Sequence, residues 1–437
     1  MIATMGQTQS RRWVLRTLWW MLLAIPYAVF LSYALAGPQR DFYYSYYAFH
    51  VIWDRLPIQQ LYSMSAQHAW FMQRSFQVVP FAEFTYPPQF AVLLSWFAAF
   101  KLPFAMRLWS ALSLGGYLLG TWMLAQLANP ERNRIFRIVF YVAVFLNLPF
   151  WWDFTIGNTN SLVFFLVSSA LYFRFVKANP WLAGVCLGVA AVFKLTPLFF
   201  AAYLVFNKEW KWLTAAFGAI AVATAATAGV VGIQPMVSYA SHLSAITATT
   251  MKNGFAPYNS SLLGVLGLWQ QHHVLDVSLP AIHRIFVLYE VLAVLGLGGY
   301  WVSRRQTVKS VSASRVLPHS RADLALGVLP IVLFSPLVEG PHMMTAWIAF
   351  VLLAGAWFAR ARETWSKHRL AGRVAKAWLM GIGAGLLFVW VVFTPFGWSM
   401  RTFLPSENFY ILLLLTVCSI GMVPDFYAWR QKGLHRG

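Results

Sequence analysis

Residues 181–206 read WLAGVCLGVAAVFKLTPLFFAAYLVF, two apolar runs separated by a single charged side chain. The runs, 181–193 and 197–206, are each too short to cross a bilayer alone, because a spanning helix needs about 20 largely apolar residues. Lys194 lies between them. An ionisable group at membrane depth is costly and indicates a functional pathway or a partner, although a lysine can also snorkel to the membrane surface. The stretch predicts two short helices that meet near Lys194.

Basic residues flank this stretch on both sides, with Lys177 before it and Lys208 and Lys211 after it. Cytoplasmic loops of membrane proteins carry an excess of Lys and Arg. We therefore expect the two short helices to enter and leave on the cytoplasmic side, which places Lys194 towards the outer half of the membrane.

The whole chain shares this apolar character. Of its 437 residues, 59% are hydrophobic and only 11% are charged, whereas an ordinary soluble domain has about 45–50% apolar and about 25% charged residues. A net charge of +20 is compatible with nucleic-acid binding, but the repeated apolar runs argue against a nucleic-acid partner.

The sequence predicts an all-α polytopic membrane protein that forms one integral domain over residues 1–437, with membrane lipids around it. About twelve segments are apolar enough to be predicted as transmembrane helices: 13–36, 105–127, 138–152, 161–176, 181–193, 197–206, 212–232, 279–302, 322–338, 341–359, 376–395 and 408–424.

Two long segments, 37–104 and 233–278, then lie on the outer side of the cell membrane. Most Lys and Arg residues fall in the opposite loops, so we expect both termini in the cytoplasm. Within the first segment, 89–101 is apolar but short, and the prolines before it prevent a helix from continuing into it. We expect interfacial helices in 37–104, including one over 89–101 that is half-immersed in the outer leaflet.

Asp41 lies near the start of the first outer segment and precedes an aromatic cluster suited to the membrane interface. A carboxylate at this boundary can ionise and still act as a general base on a lipid-borne substrate. The alternative is a solvated aspartate that caps the helix. A second outer carboxylate, Asp153, could assist it. The two could share a divalent metal, but no acidic pair stands at close spacing, so we expect no required cofactor.

Cationic and polar side chains in the outer half of the chain are candidate substrate ligands. Lys194 is suited to neutralise a phosphate, and His342, in a tight turn between two apolar runs, could donate to one. Carboxamide groups bind hydroxyl-rich ligands, although they also cap helices. We expect direct substrate contacts from five further residues: Tyr62, Tyr86, Asn160, Asn259 and Glu339.

Several motifs occur in an order typical of one family: Asp41 after the first apolar run, Tyr86-Pro87-Pro88, Gly157-Asn158-Thr159-Asn160, the stretch 183–197 that ends in Lys-Leu-Thr-Pro, and Pro341-His342. In this order, over about residues 13–360, the chain resembles glycosyltransferase family 87 of the GT-C superfamily. The resemblance implies a GT-C type helical bundle, a polyprenyl-phosphate sugar donor, often the mannose form, and transfer to a lipid or glycan acceptor outside the cell with inversion at the anomeric carbon.

The resemblance also implies roles for individual residues. Asp41 would be the general base, and Lys194 and His342 would bind the donor phosphate. Members of the family commonly have Gly-Gln-x-Asn where this chain has a shorter amide at Asn158, which puts a direct role of that residue in question; Asn160 is retained. A transporter or flippase of a lipid-linked saccharide is the alternative function, and it would require access from both leaflets.

Overall fold

The computed structural model describes residues 28, 32, 39–76, 83–129, 134–145, 147–252, 259–311 and 321–367, and within these ranges it contains helices and turns but no strand. The predicted spans 13–36, 376–395 and 408–424 and both termini lie outside the described residues, apart from residues 28 and 32. The first half of the fold contains α1 (Arg40–Trp53), α2 (Met64–Gln73), α3 (Pro88–Leu93), α4 (Leu102–Ala128), α5 (Arg134–Phe145), α6 (Leu148–Ile156), α7 (Asn160–Phe175) and α8 (Pro180–Phe193). The second half contains α9 (Phe200–Phe206), α10 (Trp210–Val231), α11 (Gln234–Lys252), α12 (Leu262–Gln271), α13 (Leu279–Val311), α14 (Arg321–Val328), α15 (Pro330–Leu333) and α16 (Met343–Lys367). Short 3-10 helices lie at Ile58–Tyr62, Ser95–Ala99, Thr196–Phe199 and Gly340–His342.

The predicted break at Lys194 is confirmed. Helix α8 ends at Phe193, and Lys194 has an extended backbone with φ −155° and ψ 131°. The chain then continues as the 3-10 helix Thr196–Phe199, with Pro197 in its first turn, where proline is well tolerated. The interruption leaves the Lys194 side chain at the junction of two helices.

Helices α7, α8 and α9 run back and forth between two ends of the bundle. At the end away from Lys194, Arg174 forms a bidentate ion pair with Glu209, with N to O distances of 2.9 and 2.7 Å. Glu209 directly precedes α10, so the chain that leaves Lys194 returns to the end where α7 finishes. The α7 N-terminus and the α8 C-terminus therefore share the other end, about 24 Å away along α7.

Close packing of α8 against α10 holds this arrangement in place. A Cβ atom at Gly184 would meet the Ala215 methyl and the Trp212 carbonyl oxygen of α10. Small residues that let helix backbones approach closely are common at helix interfaces in membranes. Gly184 thus explains why the approach to Lys194 is rich in small side chains.

Four stretches in the described part of the chain are long and apolar enough to cross a membrane: Leu102–Ala128, Phe136–Ile156, which comprises α6 and most of α5, Trp210–Val231 and Leu279–Ser303. On Trp210–Val231 and Leu279–Ser303, large apolar side chains face outwards, among them Val222 at 71% and Leu295 at 61% exposure. Such surface suits lipid rather than water, so the chain is a helical membrane protein. The predicted number of about twelve transmembrane helices is not confirmed, because four other apolar helices are only 10–17 residues long.

The predicted span 322–338 is not one continuous helix. Helix α14 ends at Val328, α15 covers only Pro330–Leu333, and residues 335–339 are not helical. Pro330 has no backbone N–H to donate within a helix, and its ring clashes with the preceding turn. Hydropathy alone does not show this break. The chain after α15 forms an irregular turn over residues 335–339.

The first predicted outer segment, 37–104, contains helices, as expected. Helix α1 carries fully buried aromatic side chains, including Phe42 and Phe49. The Phe42 ring lies 5.3 Å from the Trp109 ring of α4 and 5.9 Å from the Phe97 ring. The predicted helix over 89–101 is present as α3 and the 3-10 helix Ser95–Ala99. These contacts anchor α1 against the bundle and fix the position of its first turn.

Candidate functional site

The turn between α6 and α7 is organised by Asp153. Its Oδ1 accepts from the backbone N–H of Asn160 at 3.2 Å and from the Asn160 amide at 3.0 Å. Its Oδ2 accepts from the backbone N–H of Ser161 at 2.9 Å and from the Ser161 hydroxyl. A carboxylate in this position satisfies free N–H groups at the start of α7 and suits the positive end of the helix dipole. Asp153 is fully buried, and its described hydrogen bonds are those of a helix cap.

Gly157 lets the same turn reach α1. Its φ of 73° lies in the left-handed region that favours glycine. A Cβ atom here would lie 2.8 Å from the Cβ of Gln39 and 3.0 Å from the Cβ of Phe42. A side chain at position 157 would therefore push the start of α1 away from the turn that contacts it.

Asp41 lies in the first turn of α1, and Gln39 rather than Asp41 is the N-cap residue. The Asn158 amide donates to Asp41 Oδ2 at 2.6 Å. Burial raises the pKa of Asp41 to about 6, and hydrogen bonds from Asn158 and Tyr44 partly oppose this rise. The carboxylate is thus ionised at neutral pH but retains a proton affinity useful to a general base.

Two asparagines connect Asp41 to Lys194. Asn158 donates to Asp41, and its own Oδ1 accepts from the Asn160 amide at 2.9 Å. Asn160 Oδ1 in turn accepts from Lys194 Nζ at 2.9 Å. The candidate base and the candidate phosphate ligand therefore belong to one hydrogen-bonded chain, although 153 positions separate them in the sequence (194 − 41).

The turn that carries Glu339 and His342 also lies near this chain. The 3-10 helix Gly340–His342 packs against α6. Burial raises the pKa of Glu339 to about 7; the negative charge of Asp41 adds to the rise and the positive charge of Lys194 opposes it. All three charged side chains therefore share one electrostatic environment.

The orientation of His342 follows from its hydrogen bond. The backbone N–H of Glu339 donates to His342 Nδ1 at 2.8 Å. Because Nδ1 accepts, the neutral ring carries its proton on Nε2. That N–H is suited to donate to an anionic oxygen near Lys194.

Asn259 binds the backbone of the same turn. Its Nδ2 donates to the Pro336 carbonyl at 3.1 Å, and its Oδ1 accepts from the backbone N–H of Val338 at 3.0 Å and of Ser261 at 3.1 Å. Asn259 is only 4% exposed. Its described contacts position the segment before Glu339; the predicted contact with substrate stays a prediction.

Tyr86 and Tyr62 continue the network away from Lys194. The Tyr86 hydroxyl donates to Asn158 Oδ1 at 3.1 Å. The Tyr62 hydroxyl donates to the Tyr86 carbonyl oxygen at 3.1 Å. Tyr86 thus contacts the same asparagine that binds Asp41. Tyr62 is linked to that asparagine through Tyr86.

The sequence prediction gave too little weight to Asn158. Its shorter side chain put a direct role in question, yet it contacts Asp41, Tyr86 and Asn160. Tyr44, which also hydrogen-bonds Asp41, was not predicted at all. The only available signal for Tyr44 was its position one helical turn after Asp41, on the same face of α1.

Asp41 and Asp153 are the two carboxylates that the sequence offers as joint metal ligands. Both Asp153 oxygens accept hydrogen bonds from the start of α7. In the part of the chain that the structure describes, no three His, Cys, Asp or Glu side chains converge as a metal site would require. The expectation that no cofactor is needed stays a prediction.

These features define a helical membrane protein with a carboxylate, amide and lysine site at one end of its bundle. Comparison with known families identifies it further. The model of glycosyltransferase family 87 matches residues 84–336, more than half of the chain, so the chain belongs to this family. The match includes Asn158 and Lys194 but not Asp41 or His342, which the fold brings to the matched region.

One curated relative is a polyprenol-phosphate-mannose-dependent alpha-(1-2)-phosphatidylinositol mannoside mannosyltransferase from Mycobacterium tuberculosis (strain ATCC 25618 / H37Rv). It is 29% identical over 155 residues, which cover 32% of this chain and 35% of the relative. The matched region thus spans about a third of that protein's length.

Proposed function

We propose that the chain is an inverting GT-C glycosyltransferase that moves a sugar, by preference mannose, from a polyprenyl-phosphate donor to a lipid or glycan acceptor on the extracytoplasmic side. Family membership and the activity for which the Mycobacterium tuberculosis relative is named support this reaction class. The observation that carries the proposal is the hydrogen-bonded chain from Asp41 through Asn158 and Asn160 to Lys194.

Asp41 and Lys194 are the two groups that a single displacement needs. Asp41 takes the proton of the acceptor hydroxyl as that hydroxyl attacks the anomeric carbon, as the base does in inverting glycosidases. The leaving group is an anionic phosphate and needs no protonation, so Lys194 stabilises its growing negative charge. We assign to the Nε2–H of His342 a further hydrogen bond to this phosphate.

Asn158 and Asn160 orient these groups. Asn158 points the Asp41 carboxylate by donating to Oδ2, and Asn160 holds the ammonium group of Lys194. Amides carry no charge and do not change protonation near neutral pH. The base and the phosphate ligand are thus kept apart without forming a direct ion pair, in which each would neutralise the other.

Charge distribution supports an extracytoplasmic site. Arg174, Lys177, Lys208 and Lys211 lie near the end of α7 and α8 that is away from Lys194. By the excess of basic residues in cytoplasmic loops, that end faces the cytoplasm. The Asp41 to Lys194 chain then faces outwards, where a lipid-linked donor and an extracellular acceptor meet.

The direct experiment uses the purified full chain in liposomes with a labelled polyprenyl-phosphate mannose and a panel of mannoside acceptors. We expect a covalent product whose new bond has the opposite anomeric configuration to the donor. Movement of the labelled donor between leaflets without any covalent product would instead favour the flippase.

The pH dependence of kcat/KM should show Asp41 as the base. Its pKa is raised to about 6, so the carboxylate is neutral and inactive below that pH. We expect kcat/KM to rise with pH through about 6 and to level off above 7. Asn158→Ala removes a hydrogen bond that lowers this pKa, so its acidic limb should move to higher pH.

Two control variants separate Asp41 from other groups in the pH profile. Asn179→Ala removes an asparagine that caps α8 at the opposite end and should leave the limb near 6. Glu339→Gln removes the other outer carboxyl that titrates near neutrality, and the limb should persist. A limb that disappears in Glu339→Gln would reassign the base to Glu339.

A further inference from the structure

A cavity of about 220 Å³ that opens to the surface lies between the 3-10 helix Ile58–Tyr62 and the first turns of α11, and Tyr62 in its wall contacts the Tyr86 backbone. Its wall includes Gln59 and Tyr62 from the first segment and Gln234, Ser238 and His242 from the second. Pockets for drug-sized ligands have about 300–1,000 Å³. This cavity therefore matches a smaller group, about the size of one sugar ring.

The wall of the cavity combines an aromatic surface with hydrogen-bonding side chains. The Tyr62 ring lies 4.5 Å from the His242 ring, and His242 Nε2 contacts the Phe84 carbonyl at 3.2 Å, which fixes the pair. The side chains of Gln59, Gln234 and Ser238 make no hydrogen bond with any residue that the structure describes. Amides and hydroxyls both donate and accept, as recognition of an uncharged polyol requires.

The position of the cavity indicates which of the two substrates, acceptor or donor, it would bind. Tyr62 donates to the Tyr86 backbone, and the Tyr86 side chain hydrogen-bonds Tyr44, which in turn hydrogen-bonds Asp41. Lys194 joins the network through a different residue, Asn160. In an inverting displacement the attacking hydroxyl and the leaving phosphate lie on opposite faces of the sugar. The cavity is therefore on the side from which the acceptor approaches.

We propose that this cavity is an acceptor subsite that holds one polyol ring, adjacent to the ring whose hydroxyl reacts at Asp41. The acceptor is then a glycan or glycolipid with at least two sugar-sized rings. This inference rests on the proposed function. It adds a binding subsite, built from Gln59, Gln234 and Ser238 of this chain, that neither the family match nor the hydrogen bonds from Asp41 to Lys194 specify.

The test compares octyl mannoside with octyl dimannoside as acceptors for polyprenyl-phosphate mannose. Loss of two hydrogen bonds to the second ring corresponds to about a tenfold change, so the wild-type chain should prefer the dimannoside by about tenfold in kcat/KM. Gln59→Ala and Gln234→Ala should each reduce this ratio, and Ser238→Trp, which fills the cavity, should bring it close to one. Comparison of free dimannose with its octyl glycoside distinguishes a soluble glycan from a glycolipid.

The matched control is Gln271→Ala, which removes the same functional group from an exposed position at the end of α12. Its ratio should equal that of the wild-type chain. If the wild-type chain uses both acceptors equally, or if Ser238→Trp keeps the full preference, the cavity proposal is wrong while the proposed function stands. If the wild-type chain transfers to neither acceptor, the proposed function fails and the cavity proposal fails with it.

Discussion

Asp41→Asn should reduce sugar transfer by about 10³-fold, within the range of about 10²–10⁴ that general bases contribute. Asparagine has nearly the same shape, and its Oδ1 can still accept from Asn158, so the first turn of α1 should keep its place. What the variant loses is the ability to take a proton. Transfer from labelled polyprenyl-phosphate mannose in liposomes measures the effect, and binding of donor by the variant should persist.

Stability provides the second measurement on Asp41→Asn. Burial raises the pKa of Asp41 from 3.8 to about 6, so the ionised carboxylate is less favourable in the folded chain than in the unfolded one. At pH 7, above both values, a neutral amide removes this unfavourable contribution. The midpoint of thermal unfolding should therefore not fall, which separates a catalytic defect from a folding defect.

The matched control is Asp54→Asn at the other end of α1. Asp54 is exposed and its described ion pair joins it to His50 Nδ1 at 2.8 Å. Surface pairs of this kind contribute little to stability, about 0–1 kcal/mol, and among the described residues no hydrogen bond joins this pair to Asn158 or Asn160. Its transfer rate should be close to wild type. Equal activity of Asp41→Asn and Asp54→Asn would show that the base is another group.

Local sequence signals predicted the features that depend on short stretches of chain. A lysine between two apolar runs, each too short to span a membrane, indicates a break between two helices. The junction at Lys194 was therefore predictable. A carboxylate followed by aromatic residues marked the start of α1 in the same way. Their meeting was not predictable from spacing, because the hydrogen bond from Asn158 to Asp41 joins positions 117 residues apart.

The role of Asp153 shows why some candidates change their interpretation in three dimensions. A cap normally precedes its helix directly, but Asp153 caps α7 from seven residues before Asn160. The left-handed turn at Gly157 folds the end of α6 back onto the start of α7. In the sequence, the same aspartate is indistinguishable from a second catalytic carboxylate.

Lys194→Met should reduce kcat/KM by about 10²–10³-fold, the size of effect expected when a donor that stabilises developing negative charge is removed. Methionine keeps the length of the side chain without its charge. The variant should also bind the phosphate group of the donor more weakly. Polyprenyl phosphate should inhibit the wild-type chain more strongly than polyprenol does, and this difference should be lost in the variant.

A second readout separates a phosphate ligand from a purely structural lysine. The positive charge of Lys194 lowers the pKa of Asp41, so its removal should move the acidic limb of the pH profile above 6. Lys211→Met, at an exposed position in α10 near the opposite end, should change neither the inhibition nor the limb. Undiminished inhibition of Lys194→Met by polyprenyl phosphate would place the phosphate elsewhere. With the expected result, one cation acts on both groups, because Lys194 stabilises the leaving phosphate and its positive charge lowers the pKa of the base.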